Sequence, residues 1–189
     1  SLDSDHISAY NLNYEEDTEF FERLKRGQYR EDSEADATCF EMAMDRLEAA
    51  GYEHYEISNY AKPGHRSAHN ESYWLGEDYL GLGPSAFSTV NGRRWQNVPD
   101  TVRYLAAISA GEGLMGSEEE ITEEKRLIER FGLELRTARG LPLSLVAQEQ
   151  STLLDSLARD GLLRIEQDHI RLTRTGKALA DPIAVALLG

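Results

Sequence analysis

Residues 52–88 read YEHYEISNYAKPGHRSAHNESYWLGEDYLGLGPSAFS and hold five of the nine tyrosines, three of the five histidines and one of the two tryptophans. Four glycines and two prolines divide this aromatic stretch into short pieces. Flat aromatic faces, imidazoles and permissive glycines on loops are the components of a pocket for a large planar ligand. A loop-rich part of the core, in which aromatic side chains only fill space, explains the same composition, and composition alone favours it.

The whole chain has the composition of an ordinary water-soluble globular protein. Its 189 residues suffice for one medium domain or two small ones, and 40% are hydrophobic and 29% charged. No apolar run approaches the roughly 20 residues that span a bilayer, and no signal-peptide pattern is visible, so we expect a cytoplasmic protein without a membrane span. The single cysteine, Cys39, excludes an internal disulfide and a metal site built from several thiolates.

Charge is distributed unevenly along the chain. Residues 1–60 contain 16 acidic and 5 basic side chains, a net charge of −11, whereas residues 121–189 contain 10 of each kind. An acidic surface repels phosphate backbones, so nucleic acid is a poor candidate partner. The acidic run is best explained as a solvated helical face.

The first third of the chain predicts alternating strands and helices. Residues 5–12 alternate apolar and polar side chains as a strand does, and residues 53–58 predict a second strand. Between them we expect helices over residues 18–26 and 33–51, the second beginning at a capping-box pattern. This order predicts a parallel β-α-β unit, in which ligands bind in the loops that follow the carboxyl ends of the strands.

The middle of the chain, residues 61–116, is expected to be rich in loops. Asn91-Gly92 lies between two strand-like segments and predicts a hairpin with a two-residue turn. A helix is expected to begin near Pro99-Asp100 and to end near Gly111.

The last part of the chain predicts a compact helical unit that closes with a β-hairpin, whose turn is Gln167-Asp168-His169. The expected helices and strands cover residues 122–135, 142–148, 151–160, 162–165 and 170–172. This order is typical of a winged helix. Winged helices often bind DNA, but equal numbers of acidic and basic side chains argue against that role here.

None of the common catalytic motifs occurs in the sequence. It has no Gly-x-Ser-x-Gly elbow, no phosphate loop and no His-Glu-x-x-His. Carboxylates near the aromatic stretch, such as Glu53 and Glu77, are not paired as an acid and a base. The residues alone therefore indicate a soluble α/β protein with an aromatic, histidine-bearing pocket.

Four strings of residues resemble one known family. They are HISAYNL at 6–12, GYEHYEISNYAKPG at 51–64, HNESYW at 69–74 and YLGLGPSAFS at 79–88. In this order they resemble the radical SAM family of oxygen-independent coproporphyrinogen III oxidases and their relatives, the HemW-type haem chaperones. The closing residues from Gly161 to Gly176 resemble the family's C-terminal domain, so the resemblance covers essentially the whole chain.

The resemblance implies an α/β (α+β) fold in two parts. Residues 1–116 would be the last strands and helices of a partial radical SAM (β/α) barrel, and residues 117–189 a small winged-helix-like C-terminal domain. Family members hold a [4Fe–4S] cluster through Cys-x-x-x-Cys-x-x-Cys, which this chain lacks, since Cys39 is its single cysteine. The chain would therefore be the C-terminal portion of a family member. We expect no catalytic residues in it and no cleavage of S-adenosylmethionine by it alone.

The motif His69-Asn70-x-x-Tyr73-Trp74 resembles the HNxxYW signature of the chaperone branch. The resemblance implies a haem site made of His69, Asn70, Tyr73 and Trp74, in which His69 ligates the haem iron and the two aromatic rings pack against the macrocycle. Alternatively, His69 and Asn70 only order the loop by hydrogen bonding, and Trp74 belongs to the core.

Weaker parallels to the family concern S-adenosylmethionine and the glycine-rich string. Ala61 falls where family members place a residue against the adenine, and Ile7 and Tyr10 would lie near the same cofactor. Gly81-Leu-Gly-Pro-Ser85 would let the backbone approach the cofactor or the porphyrin, although turn formation explains the string equally well.

The resemblance favours a parent protein that binds and delivers haem. The alternative is a genuine oxidase that converts propionates of coproporphyrinogen III to vinyl groups through a 5′-deoxyadenosyl radical, and a third is a non-enzymatic winged-helix interaction module. Haem or coproporphyrinogen III would be the ligand, and S-adenosylmethionine and the cluster would belong to the full-length protein. We also expect a homodimer, because residues 5–10 would form an unpaired sheet edge.

Overall fold

The computed structural model describes residues 3–189, and the chain divides after Ser67 into two compact units. Helices and strands are mixed in both units, which confirms the α/β class. The boundary predicted between residues 116 and 117 falls inside the second unit, and the domains 1–116 and 117–189 stay a prediction. No helix in the described part of the chain is both long enough and apolar enough to cross a bilayer.

The first unit consists of short strands and two helices, of which the second is acidic. Its elements are β1 (His6–Ser8), α1 (Glu19–Lys25), α2 (Ser33–Ala49), β2 (Glu53–Glu56) and β3 (Asn59–Ala61). Both helices begin where an oxygen-bearing side chain caps an amide: Thr18 accepts from Phe21 and Asp32 accepts from Ala35. The cap of α2 is thus Asp32, and the predicted capping box at Ser33 is not formed.

The two predicted strands, β1 and β2, run parallel to each other with helices between them, but they are not neighbours in the sheet. β3 lies between β1 and β2 and pairs antiparallel with both. A turn at Ile57-Ser58 ends β2 inside the strand predicted over residues 53–58 and returns the chain alongside it as β3. The core of this unit contains Tyr55, Tyr60 and Met44, each at most 2% exposed.

The second unit, Ala68–Gly189, contains two antiparallel sheets with strand orders β4-β5-β6 and β7-β9-β8. Its elements are α3 (Ala68–Trp74), β4 (Phe87–Val90), β5 (Arg93–Asn97), α4 (Thr101–Ala110), β6 (Met115–Glu120), α5 (Glu123–Glu134), β7 (Leu141–Pro142), α6 (Ser151–Arg159), β8 (Leu163–Glu166), β9 (His169–Leu172), α7 (Arg174–Lys177) and α8 (Ala180–Leu188).

The sheet β4-β5-β6 is built around the predicted hairpin. Asn91 and Gly92 have φ angles of 51° and 77°, the left-handed conformation that this two-residue turn requires. The helix predicted after it is also confirmed: Asp100 caps α4 through the amide of Arg103, and Gly111 ends it in the left-handed conformation. β6 has no predicted counterpart, because all six of its residues are exposed and give no apolar alternation.

The sheet β7-β9-β8 and helices α5, α6 and α8 form the winged-helix-like part of the second unit. Its core side chains are fully buried, among them Phe131, Leu135, Leu141, Leu163, Ile170 and Leu187. The predicted hairpin is present, but its turn is only Gln167-Asp168, and His169 is the first residue of β9.

The helix predicted over residues 142–148 is wrong. Two separate 3₁₀ turns, Leu143–Leu145 and Gln148–Gln150, occupy that segment. Val146 and Ala147 between them have extended backbone, with ψ angles of 129° and 148°, so the helical hydrogen-bond ladder cannot continue through them.

Candidate functional site

The motif His69-Asn70-x-x-Tyr73-Trp74 lies on α3, within a region predicted to be mostly loop. Residues four apart share one face of a helix. His69 and Tyr73 therefore point to one side of α3, and Asn70 and Trp74 to the next. The first pair is exposed and the second pair is partly buried, so the helix gives the motif a solvent-accessible face and a packed face.

Two adjoining cavities open beside α3. The larger has a volume of about 880 Å³, and its walls are the end of α3 with the following loop, the sheet β4-β5-β6 and α5. The apolar and aromatic side chains that line it are Tyr73, Trp74, Leu75, Tyr79, Phe87, Ile121 and Leu133. The smaller cavity, of about 280 Å³, is lined by Ala68, His69, Ser72, Tyr73, Glu77, Asp78 and Tyr79.

The structure brings together three of the four residues predicted for the haem site. Tyr73 and Trp74 line the larger cavity, and His69 and Tyr73 line the smaller one. Tyr73 lines both cavities, as do Glu77, Asp78 and Tyr79. Asn70 lines neither of these two cavities, which fits the alternative that it orders the local backbone rather than contacting a ligand.

Tyr73 and Tyr79 form an aromatic pair at the boundary between the cavities. Their ring centroids are 5.0 Å apart and the rings are tilted by 51°. The hydrogen bond with Tyr79 and partial burial raise the pKa of the Tyr73 hydroxyl above its ordinary value. Tyr73 is therefore a neutral phenol at physiological pH. Tyr79 was outside the predicted site, although it belongs to the same aromatic stretch.

A bidentate ion pair joins the sheet wall of the larger cavity to its helical wall. Arg94 on β5 donates to both carboxylate oxygens of Glu129 on α5, at 2.5 and 2.9 Å, and its Nε donates to Thr89 Oγ1 at 3.1 Å. The hydrogen bonds to Glu129 raise the pKa of the Arg94 guanidinium further above its already high value. The pair thus fixes the distance between two walls of the cavity.

We expect the substitution Arg94→Met to lower the free energy of unfolding by about 2 kcal/mol, since the half-buried Glu129 loses both charge-assisted hydrogen bonds. Arg93→Met is the matched control, because Arg93 is on the same strand but is 64% exposed, and its pair with Glu118 should contribute less than about 1 kcal/mol. Urea unfolding followed by tryptophan fluorescence measures both. Equal losses in the two variants would contradict a special role for Arg94.

The string Gly81–Ser85 is a loop that the protein's own side chains hold in place. Ser88 Oγ accepts from the amide of Gly81 at 2.9 Å, and Asn97 donates to the carbonyls of Gly81 and Gly83 at 3.1 and 3.0 Å. Ser88 and Asn97 are both buried. These contacts agree with turn formation as the function of the glycines. Contact between this loop and a cofactor or porphyrin stays a prediction.

The residues predicted to lie near S-adenosylmethionine are in the first unit. Ile7 on β1 is paired with Tyr60, and Ala61, which is fully buried, is paired with His6, so the side chains of Ile7 and Ala61 point to opposite faces of the sheet. Tyr10 lies beyond the end of β1 and is 73% exposed, so the structure does not bring the three side chains together. Binding of the cofactor by these residues stays a prediction.

A buried polar network beside these strands was not among the predicted site residues. Glu56 accepts from the Ser58 amide at 2.9 Å and from the Asn59 side chain at 2.5 Å, and Asn59 accepts from Ser8 at 2.7 Å. Glu56 and Asn59 are 4% and 3% exposed. Because β2 also carries the polar residues Glu53 and His54, the burial of Glu56 and Asn59 has no distinct signal in the sequence.

The chain does not fit a [4Fe–4S] cluster. Cys39 is its single cysteine, and the side chain is exposed on α2. In residues 3–189, histidine, cysteine and carboxylate side chains also form no group of three or more that could hold a metal ion. Cluster chemistry is therefore not attributed to these residues.

Comparison with known proteins gives consistent matches in sequence and in fold. No protein-family model matches the chain. It is 33% identical to "Heme chaperone HemW" of Bacillus subtilis (strain 168) over 198 residues, which cover 100% of this chain and 52% of that protein. It is 35% identical to "Heme chaperone HemW" of Mycobacterium tuberculosis over 186 residues, covering 98% of this chain and 48% of that protein. The chain thus spans about half the length of the curated relatives it matches.

A solved structure has a similar fold. It is described as "Coproporphyrinogen III oxidase (HemN) from Escherichia coli is a Radical SAM enzyme", with a TM-score of 0.69 and 19% sequence identity. The match covers 97% of this chain and 48% of that one. At this level of identity the similarity concerns the fold alone.

Proposed function

Because this chain belongs to the radical SAM family of coproporphyrinogen III oxidase-like proteins, on the branch of the HemW proteins, we propose that it binds haem and that its parent protein delivers haem. The observation that carries the proposal is the pair of adjoining cavities beside α3. One is lined by aromatic side chains and the other by His69, and Tyr73 belongs to both.

The larger cavity suits a flat, mostly apolar ligand. Its volume of about 880 Å³ lies within the range of roughly 300–1,000 Å³ typical of small-molecule sites. Trp74 and Phe87 offer aromatic surface to a macrocycle, and such contacts favour planar rings. The basic and acidic side chains at the rim would meet the polar periphery of the ligand.

His69 is the proposed ligand of the haem iron. A neutral imidazole donates a nitrogen lone pair to iron, as the proximal histidine of many haem proteins does. Tyrosine ligates haem iron in some proteins, but the raised pKa of Tyr73 disfavours a phenolate here. We therefore assign iron ligation to His69 and ring contact to Tyr73 and Trp74, an arrangement that requires the macrocycle to extend from the larger cavity past Tyr73 toward the space that His69 lines.

Radical chemistry is assigned to the parent protein rather than to these residues. A [4Fe–4S] cluster would supply the electron that cleaves S-adenosylmethionine, but this chain offers a single exposed cysteine. We propose that the chain alone holds haem without cleaving S-adenosylmethionine.

A cytoplasmic location and a homodimer also stay proposals. In the described residues β1 lies at an edge of its sheet, where a second copy could pair.

Titration of the full chain with haem tests the proposed function. We expect a saturable shift of the Soret band at one haem per chain. Trp74→Ala should weaken haem binding about tenfold, since it removes a large aromatic surface from the cavity wall. Trp95→Ala is the control, because Trp95 lies on β5 and does not line either cavity. Absence of saturable binding by the unaltered chain would refute the proposal.

A further inference from the structure

The α5 side of the larger cavity carries positive charge. Arg126, Arg130 and Arg136 line it from α5 and from the residues just after that helix, facing Arg94 on β5. The spacing of four between Arg126 and Arg130 keeps both guanidinium groups on one helical face, with Leu133 one turn further along. The α5 wall of the larger cavity therefore combines the apolar Leu133 with several guanidinium groups.

Three of these four arginines have an ion-pair partner at a shorter distance than Arg126 has. Arg94 is bound to Glu129 by two hydrogen bonds. Arg130 is bound at 2.5 Å to Glu134, whose side chain is 5% exposed. Arg136 donates to Asp181 at 2.9 Å. Removing any of these cations would leave a carboxylate without its partner.

Arg126 differs from the other three. Its nearest carboxylate is Glu123, at 3.9 Å from Nε, and that side chain is 94% exposed. An exposed pair at this distance contributes little free energy. The Arg126 guanidinium reaches over the hairpin turn, with one Nη atom 3.8 Å from where a Cβ on Gly92 would stand, and Gly92 itself lines the cavity.

Of the five carboxylates that line the cavity, Glu77 lies in the loop after α3, Asp181 is bound to Arg136, and the other three are also engaged. Glu129 is bound to Arg94, and Glu119 is bound to Lys125 at 2.6 Å. Asp78 accepts from the amide of Asn91 at 3.0 Å. Binding a ligand anion to the Arg126 guanidinium would therefore disrupt fewer close ion pairs than binding it to any of the other three arginines.

We propose that Arg126 binds a free carboxylate on the periphery of the tetrapyrrole that occupies the larger cavity. This inference rests on the proposed function and adds the ligand class, a porphyrin with unesterified acid side chains. A guanidinium offers two parallel N–H donors that match a carboxylate, so the contact fixes how the ring is turned in the cavity as well as adding affinity.

The test compares haem with its dimethyl ester, in which both acid groups are blocked, on the full chain and on single variants. The unaltered chain should bind haem about five- to tenfold more tightly than the ester. Arg126→Gln should remove most of that preference while binding the ester as before. Arg103→Gln, on the exposed side of α4 and outside both cavities, should keep the full preference.

The outcomes separate this inference from the proposed function. If the unaltered chain binds neither compound, both fail. If it binds both and Arg126→Gln keeps the full preference for haem, the carboxylate site is refuted while haem binding stands. Arg136→Gln should have a smaller effect than Arg126→Gln because Asp181 already holds Arg136. An equal or larger effect would contradict the assignment to Arg126. Circular dichroism confirms that each variant is folded.

Discussion

Replacing His69 by alanine is expected to weaken haem binding by about 100-fold, equivalent to about 2.7 kcal/mol, and to remove the absorption features of imidazole-ligated iron. The physical reason is the loss of one coordinate bond to iron, since the side chain is exposed on α3 and supports no part of the core. Haem titration followed by visible absorption measures both the affinity and the spectrum.

Two controls show whether the loss arises at the iron. Metal-free protoporphyrin IX has no iron to ligate, so His69→Ala should bind it as the unaltered chain does. His169→Ala removes an imidazole that lines neither cavity and is hydrogen-bonded to the Gln167 carbonyl, and it should leave haem binding unchanged. Equal weakening for haem and for the metal-free ring would assign His69 to the cavity wall rather than to the iron.

The substitution Gly81→Ala is expected to destabilise the second unit by about 3 kcal/mol or more. A Cβ at this position would stand 2.0 Å from the carbonyl oxygen of Phe87 and 2.7 Å from its carbonyl carbon. Those are backbone atoms at the start of β4, so the clash can be relieved only if β4 moves. β4 also forms part of the wall of the larger cavity. Haem affinity should fall together with stability.

Gly113→Ala is the matched control for this clash. Nothing lies within 4 Å of the Cβ that it would add, and the exposed position should tolerate alanine with a change below about 1 kcal/mol. Trp74 and Trp95 both belong to the second unit, so their fluorescence reports its unfolding in urea. Equal midpoints for the two variants would contradict the close packing of the loop on β4.

Elements set by local chemistry could be predicted from the sequence. The turn at Asn91-Gly92, the cap at Asp100 and the stop at Gly111 each depend on a few adjacent residues, and all three are present. The place of β3 between β1 and β2 could not be predicted in this way, because β3 is only three residues long and its pairing with β1 joins residues far apart in the sequence.

The candidate site also contains one part that could be predicted from the sequence and one part that could not. The motif on α3 was predicted through its resemblance to a family, and three of its four named residues line the cavities. The opposite wall could not be predicted, because Arg94 and Glu129 are 35 residues apart and meet only in the folded chain. The repeat of Arg126, Arg130 and Leu133 along α5 is a helical-face signal that points toward that wall.

Tyr73 forms part of the boundary between the two cavities, together with Glu77, Asp78 and Tyr79. Its exposed fraction is 43%, and its contact with Tyr79 fixes which way the ring is turned. Exposed side chains change rotamer in picoseconds to nanoseconds, far faster than domains move. A change of rotamer at Tyr73 would therefore alter how the two cavities connect at this point without any rearrangement of the backbone.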